Sequence, residues 1–125
     1  MIPTEYKMNI EELRNFCIAK KGVAEEFPFD EHTLVFKVMG KMFALLPLER
    51  IPAQCNLKCD PERAIELREE YDGDITPGYH MSKKHWNTLF LENLPPGLVQ
   101  ELVNHSYDLV VSGLTKKLKE QLHSL

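Results

Sequence analysis

The sequence has no run of 18 apolar residues, a length typical of a transmembrane helix. Its start, Met1–Lys7, lacks the basic stretch followed by an apolar stretch that marks a secretory signal peptide. Its 125 residues, 43 % hydrophobic and 27 % charged, fall in the range of one folded globular domain. We therefore expect one cytoplasmic domain over residues 1–125, with residues 1–7 as a flexible leader.

Cysteine is scarce, and its odd count of three argues against a disulfide framework. The segment from Ala53 to Cys59 alternates apolar and polar residues, which predicts a strand with Cys55 and Cys59 facing the core. At about 3.3 Å per residue these two lie roughly 13 Å apart, beyond the ~7 Å Cα limit for a disulfide. Because Cys-x-x-x-Cys on a strand does not form a zinc knuckle, we expect buried, reduced thiols.

Familiar catalytic motifs are also missing: there is no Gly-x-Ser-x-Gly elbow, no Gly-rich phosphate loop and no His-Glu-x-x-His helix. The run from His105 to Asp108 contains a histidine, a serine and a carboxylate, but successive residues on a helix point about 100° apart. Ser106 and His105 therefore diverge. We expect a non-enzymatic protein without a cofactor, in which Ser106 and Tyr107 are half-buried and hydrogen-bond to the neighbouring sheet.

Carboxylates are missing from one segment, Ile75–Leu91, of a chain whose formal net charge is −4. This segment contains a lysine pair, two histidines and the only tryptophan: Lys83, Lys84, His80, His85 and Trp86. The preceding segment, residues 60–74, carries seven carboxylates against two arginines. The contrast indicates an anion-facing surface on an acidic protein. Since the two histidines have no third ligand beside them, we predict no metal site.

Apolar periodicity predicts helices alternating with antiparallel strands. The predicted elements begin with a capped helix from Asn9 to Gly22, a hairpin of strands 33–39 and 42–46 around Gly40-Lys41, and the cysteine strand. They are followed by a helix starting at Asp60-Pro61, a strand over residues 84–91 and one terminal helix of about 20 residues from Leu98 to Leu118. Lysines at the carboxyl end of that last helix would suit its dipole. The fold class is α+β, an antiparallel sheet covered by helices.

Four stretches resemble the MmcQ/YjbR family of small bacterial proteins: Gly40–Ala44, Leu57–Pro61, Pro77–Thr88 and His105–Val110. The most specific piece is the Tyr-His-x-x-Lys-x-His-Trp-Asn block, followed later by the Ser-Tyr pair. The resemblance spans roughly Met8 to Lys119. The chain has Lys20-Lys21-Gly22 where the family usually has Leu-Pro-Gly, which affects that turn only.

The resemblance implies a fold similar to secretion chaperones, α-β(3)-α-β(2)-α, and DNA binding through a double wing of β-hairpins. Carried onto this chain, the wings are the Gly40-Lys41 hairpin and the hairpin with residues 83–85. The implied nucleic-acid contacts are Lys41, Lys58, Lys83, Lys84, His85 and Asn87. Such lysines support non-specific phosphate binding with a Kd of about 10⁻⁴ to 10⁻⁶ M at cellular salt, and no base code is predicted.

Two alternatives to DNA binding stay open. A chaperone-like fold permits a protein-interaction module, whose exposed sheet face or edge receives a peptide or a second copy of the chain. The other alternative is a small-molecule pocket formed by Tyr79, His80, His85 and Trp86.

Each hypothesis makes a different structural demand. DNA binding requires the four lysines to share one face away from residues 60–74. Interaction requires an exposed apolar patch, and a pocket requires the histidines and Trp86 to line one concavity.

Overall fold

Six antiparallel strands form one sheet in the computed structural model of the chain, which describes residues 6–78 and 81–125. The elements in chain order are α1 (Ile10–Ile18), β1 (Val23–Glu26), β2 (Thr33–Val38), β3 (Lys41–Pro47), β4 (Gln54–Lys58), α2 (Pro61–Glu70), β5 (Ile75–Pro77), β6 (Trp86–Phe90), a 3₁₀ turn (Leu91–Asn93), α3 (Pro96–Ser112) and α4 (Lys116–His123). The strand order across the sheet is β1-β2-β3-β4-β6-β5.

Local sequence accounts for where these elements begin. Asn9 and Glu12 form a capping box, since each side chain accepts a hydrogen bond from the other residue's backbone N–H. In the turn between β2 and β3, Met39 and Gly40 both have positive φ, 49° and 83°. That backbone is typical of the two-residue turns whose twist matches a hairpin. The predicted hairpin is confirmed, with its turn at Met39-Gly40 instead of Gly40-Lys41.

Helix α3 lies across the middle of the sheet, against β3 and β4. The face beneath it carries alternating buried residues such as Phe36, Leu46 and Leu57, and Val99 and Val103 of α3 pack into the same core. The other face of the sheet carries a smaller buried cluster of Val35, Leu45 and Trp86. We call this second surface the open face.

The predicted α+β class, with helices on an antiparallel sheet, is confirmed. The terminal helix is not continuous as predicted: α3 ends at Ser112, and α4 starts after Thr115, whose side chain accepts from the Leu118 N–H. Lys116 and Lys117 therefore lie in the first turn of α4, the opposite of the favourable helix end expected for them. Four strands, β1 to β4, precede α2, whereas the family resemblance implies three.

Five residues of the expected leader, 1–5, lie outside the described residues. The Tyr6 hydroxyl donates to the Glu12 carboxylate, and Met8, the residue after the expected leader, is buried in the core. Among the described residues, no helix has both the length and the apolar character needed to cross a membrane.

All three thiols are buried and unbridged, as predicted. Burial raises the pKa of Cys17 to about 12. Burial also raises the pKa values of Cys55 and Cys59. The thiolate is the reactive form, so these cysteines are chemically protected by the core.

We expect Ellman's reagent at about pH 8 to leave the native protein almost unmodified over minutes, because the thiols are both buried and protonated. The same protein in concentrated guanidinium should release three equivalents of thionitrobenzoate. One equivalent released rapidly from native protein would contradict the burial of that cysteine.

Candidate nucleic-acid interface

The two predicted wings meet at one end of the sheet. Strand β3 begins at Lys41, β4 ends at Lys58 and β6 begins at Trp86, and neighbouring strands run antiparallel. These three residues therefore lie at the same end, which we call the lysine end. Because β4 lies between β3 and β6 and adjacent strands are about 4.8 Å apart, β3 and β6 are separated there by at least about 10 Å.

A serine from α3 separates β3 and β4 at this end. The ladder pairs Leu45 with Asn56 and Ala44 with Leu57, so Phe43 would pair next with Lys58. Instead, the fully buried Ser106 hydroxyl donates to the Phe43 carbonyl at 2.5 Å and accepts from the Lys58 N–H at 2.9 Å. One side chain replaces the missing ladder bond and satisfies both backbone groups.

A cavity of about 290 Å³ lies where the strands part. It is lined by Lys41, Met42, Lys58, Trp86, Leu109, Val110 and Gly113. Among these described residues there are two lysines and no carboxylate, so the local charge is positive although the chain is acidic.

Among the described residues, three lysines or arginines form an ion pair, and the four lysines of the predicted interface are not among them. Lys37 pairs with Glu26 at 2.7 Å, and Arg14 and Arg63 also pair with glutamates. Within residues 6–78 and 81–125, neither the two cavity lysines nor Lys83 and Lys84 form an ion pair. Their charge remains available to an anionic partner.

The turn before β6 carries Lys83, Lys84 and His85, all exposed. Arg68 of α2 holds this turn, since its guanidinium donates to the backbone carbonyls of Lys83 and Trp86. The separation from residues 60–74 that DNA binding required is therefore missing at Lys83, which lies beside the acidic helix.

Asn87 does not belong to an exposed surface. It is 1 % exposed, its side-chain carbonyl accepts from the Arg68 guanidinium at 2.7 Å and its amide donates to the Ala64 carbonyl at 3.5 Å. The alternation of side chains along a strand indicates this placement. Trp86 and Thr88 face the open side, so Asn87 between them faces the helices.

The expected pocket of tyrosine, histidines and tryptophan is described only in part, since Tyr79 and His80 lie outside the described residues. Trp86 is 8 % exposed and packs against Val35 and Leu45, whereas His85 is exposed in the turn. The two described members therefore have different surroundings.

The side chains of the His105–Tyr107 run make four hydrogen bonds to other elements, two of them through Ser106. The Asp60 N–H donates to His105 Nε2 at 3.1 Å, and the Tyr107 hydroxyl donates to the Lys21 carbonyl at 2.5 Å. Burial, with help from the Arg63 charge, lowers the pKa of His105. The expectation that Ser106 and Tyr107 serve as hydrogen-bonding groups is confirmed, although Ser106 is fully buried and Tyr107 bonds to the turn after α1 instead of the sheet.

Fold and surface together define a small α+β domain, with one antiparallel sheet, helices on one of its faces and a lysine-lined end. The YjbR family profile matches residues 18–109, and the chain belongs to the YjbR family. YjbR of Escherichia coli K12 is 34 % identical over 120 residues, which cover 94 % of this chain and all of that protein. YbdF of Escherichia coli O157:H7 is 40 % identical over 92 residues, 73 % of this chain and 75 % of that protein.

Two crystal structures are similar to this fold. Deinococcus radiodurans protein DR2400, described as a DUF419 domain, has a TM-score of 0.86 and 41 % identity, covering 98 % of this chain and 92 % of that one. A Pseudomonas syringae protein has a TM-score of 0.68 and 29 % identity, covering 82 % and 98 %. YjbR and YbdF are themselves described as uncharacterized, so these relatives bring no activity to the chain.

We expect Ser106→Ala to lower the free energy of unfolding by about 2–4 kcal/mol, because it leaves the Phe43 carbonyl and the Lys58 N–H buried without their partner. Urea denaturation measures the change. Ser112→Ala is the matched control on the same helix, since that exposed serine bonds only to the preceding turn, and it should change stability by less than about 0.5 kcal/mol. Equal effects of the two substitutions would contradict the bridging role.

We expect His105 to make stability depend on pH. Its folded pKa lies below the ordinary value of 6.5, so the unfolded chain binds the proton more tightly. The contribution of neutral His105 to the free energy of unfolding is fully present above about pH 6.5. It declines as the pH falls toward the folded pKa. Urea midpoints of wild type and His105→Gln between about pH 5 and pH 8 should show a shallower decline in the variant. His85→Gln, at an exposed histidine, is the control, and equal profiles for wild type and His105→Gln would refute the assignment.

Proposed function

We propose that this protein binds nucleic acid through phosphate contacts at the lysine end. The observation that carries the proposal is the convergence of Lys41 and Lys58 on one cavity with no carboxylate among its described lining residues. A lysine that forms no ion pair can bind a phosphate without first breaking its contact with a carboxylate.

The spacing of the two hairpins also supports this proposal. The strands that carry Lys41 and the 83–85 turn are at least about 10 Å apart at the lysine end, because Ser106 parts β3 from β4 there. A separation of that order is comparable with the width of the major groove of B-DNA, about 12 Å. The two tips are therefore spaced to contact the backbones on either side of one groove.

Helix α4 extends the positive surface in a way that the predicted single terminal helix did not reveal. Gly113 lines the cavity, and α4 begins three residues later with the exposed Lys116 and Lys117. Its Leu122 lies against Gly22, which is itself close to Met39 at the tip of the first hairpin. Helix α4 is thus held beside that tip.

The proposed binding is weak and independent of sequence. Trp86 is buried in the open-face cluster and Asn87 is occupied by α2, so neither is available to read or stack on a base. The acidic helix beside Lys83 opposes tight binding. We therefore expect a Kd in the non-specific range, about 10⁻⁴ to 10⁻⁶ M.

Fluorescence anisotropy of a labelled duplex tests the proposal at about 50 and about 200 mM salt. Wild type should bind and weaken steeply with salt. Lys41→Gln/Lys58→Gln should reduce the slope of log K against log salt by about 2, since each phosphate contact contributes about 0.9. Lys41→Glu/Lys58→Glu should abolish binding.

The matched control is Lys7→Glu/Arg50→Glu, which changes the net charge by the same amount at two exposed positions. Arg50 lies in the β3–β4 loop, at the opposite end of the sheet from Lys41 and Lys58. If the control weakens binding as much as the cavity variant, the interaction depends on net charge alone and the proposed interface is wrong. The proposal also fails if wild type does not bind at about 50 mM salt.

A further inference from the structure

The open face of the sheet contains a second cavity, which shares no described lining residue with the cavity at the lysine end. One row of paired residues crosses this face from β1 to β5: Glu26, Val35, Leu45, Asn56, Thr88 and Thr76. The middle of the row is buried although the helices lie on the other face, since Leu45 and Thr88 are only 5 % and 4 % exposed. These two residues form part of the cavity floor.

The walls come from two loops that contact each other, 27–32 between β1 and β2 and 48–53 between β3 and β4. The Leu48 N–H donates to the His32 carbonyl at 2.8 Å, and the His32 imidazole lies 3.0 Å from the Glu49 carboxylate. Met81 closes the side toward β6. The enclosed volume is about 350 Å³, within the range of small-molecule sites.

Most of the cavity surface is apolar, contributed by Phe29, Leu45, Pro47 and Met81. The loops around it also expose large apolar side chains to solvent: Phe29 is 63 % exposed and Ile51 is 96 % exposed. Phe27 and Leu48 on the same loops are exposed as well. An apolar ligand body that covers some of this surface gains free energy from its removal from water.

Asp30 is the one carboxylate among the described lining residues of this cavity, and Glu49 lies on the adjoining loop. The Asp30 carboxylate accepts from the His32 and Thr33 N–H groups at 2.8 and 2.7 Å, and these bonds hold its pKa below the ordinary value. The Glu49 carboxylate faces His32. Both carboxylates therefore hold the loops that form the walls, and Asp30 keeps its negative charge at neutral pH.

Donors, in contrast, remain available. Asn56 uses its side-chain oxygen to accept from the Thr88 hydroxyl at 2.5 Å, which directs its amide N–H groups elsewhere. Arg50 lines the same cavity, and within the described residues its guanidinium has neither an ion pair nor a side-chain hydrogen bond. A guanidinium suits a carboxylate, which accepts two parallel hydrogen bonds from it, and an amide donor that lines the same cavity offers a further hydrogen bond.

We propose that this cavity binds a small organic anion with an apolar body, namely a monocarboxylate about the size of 4-phenylbutyrate. Arg50 and Asn56 hold the carboxylate, and the apolar body lies over Leu45 and against Phe29. The site uses neither Lys41 nor Lys58, so its occupancy and nucleic-acid binding can be tested with separate substitutions.

Titration of ¹⁵N-labelled protein with 4-phenylbutyrate, followed by NMR, tests this assignment. Amide shifts should concentrate in residues 29–33, 45–56 and 88. The uncharged 4-phenylbutanol should bind about tenfold more weakly, because it lacks the charge-assisted bonds to Arg50. Arg50→Gln should weaken carboxylate binding by about the same factor and leave the alcohol unchanged.

Two further variants sharpen the test, and both are at exposed positions whose replacement leaves the core intact. Phe29→Ala should weaken the acid and the alcohol alike, because it removes apolar contact only. Lys84→Gln, which removes one cation at the lysine end, should change neither. DNA anisotropy with Arg50→Gln should match wild type, which separates this site from the proposed function.

Three results would overturn the assignment. The first is no shift around the cavity at about 10 mM ligand, a concentration that would detect even millimolar affinity. The second is equal binding of acid and alcohol. The third is a solution dimer that Ile51→Ser dissociates, with cavity shifts only in the variant, since the two loops would then be covered by a second copy of the chain.

Discussion

The position of α3 on the sheet depends on one hydroxyl group, that of Ser106, which stands between two strands. A serine hydroxyl donates once and can still accept, so it completes a ladder position at which two strands no longer reach each other. The flanking residues His105 and Tyr107 then point to two other elements, the start of α2 and the turn after α1. Three consecutive side chains thus bond α3 to β3, β4, the start of α2 and the turn after α1. The gap between β3 and β4 that Ser106 occupies also separates Lys41 from Lys58.

Because neighbouring strands are antiparallel, the loops of this sheet lie at one or the other of its two ends, and the two ends carry different side chains. The β2–β3 turn, the end of β4 and the start of β6 bring unpaired lysines to one end. The loops 27–32 and 48–53 bring exposed aromatic and aliphatic side chains, together with Arg50, to the other. The net charge of −4 describes neither end, because residues 60–74 carry much of the negative charge on and beside α2.

Sequence periodicity and turn chemistry were sufficient to predict the hairpin, the capped helices, the buried cysteines and the fold class, since these depend on neighbours in the chain. The features it missed depend on distant partners. Asn87 is buried because Arg68, on another element, donates a hydrogen bond to its side-chain carbonyl. The break at Gly113 was hidden because Leu114 is buried and continues the apolar period across it. The second cavity depends on strand register, which brings Asn56 opposite Thr88.

That polar pair also explains why the open face remains open. A second layer of helices would need a continuous apolar strip, yet Asn56 and Thr88 interrupt it beside Val35, Leu45 and Trp86. Because the two residues satisfy each other, the sheet tolerates them at low cost, and the loops enclose a cavity over them. Strands β3 and β4 connect this cavity to the lysine end, and Ser106 sets their spacing from the opposite face. Leu45 of the cavity floor also packs with Trp86 of the lysine end, so the two ends share one buried cluster.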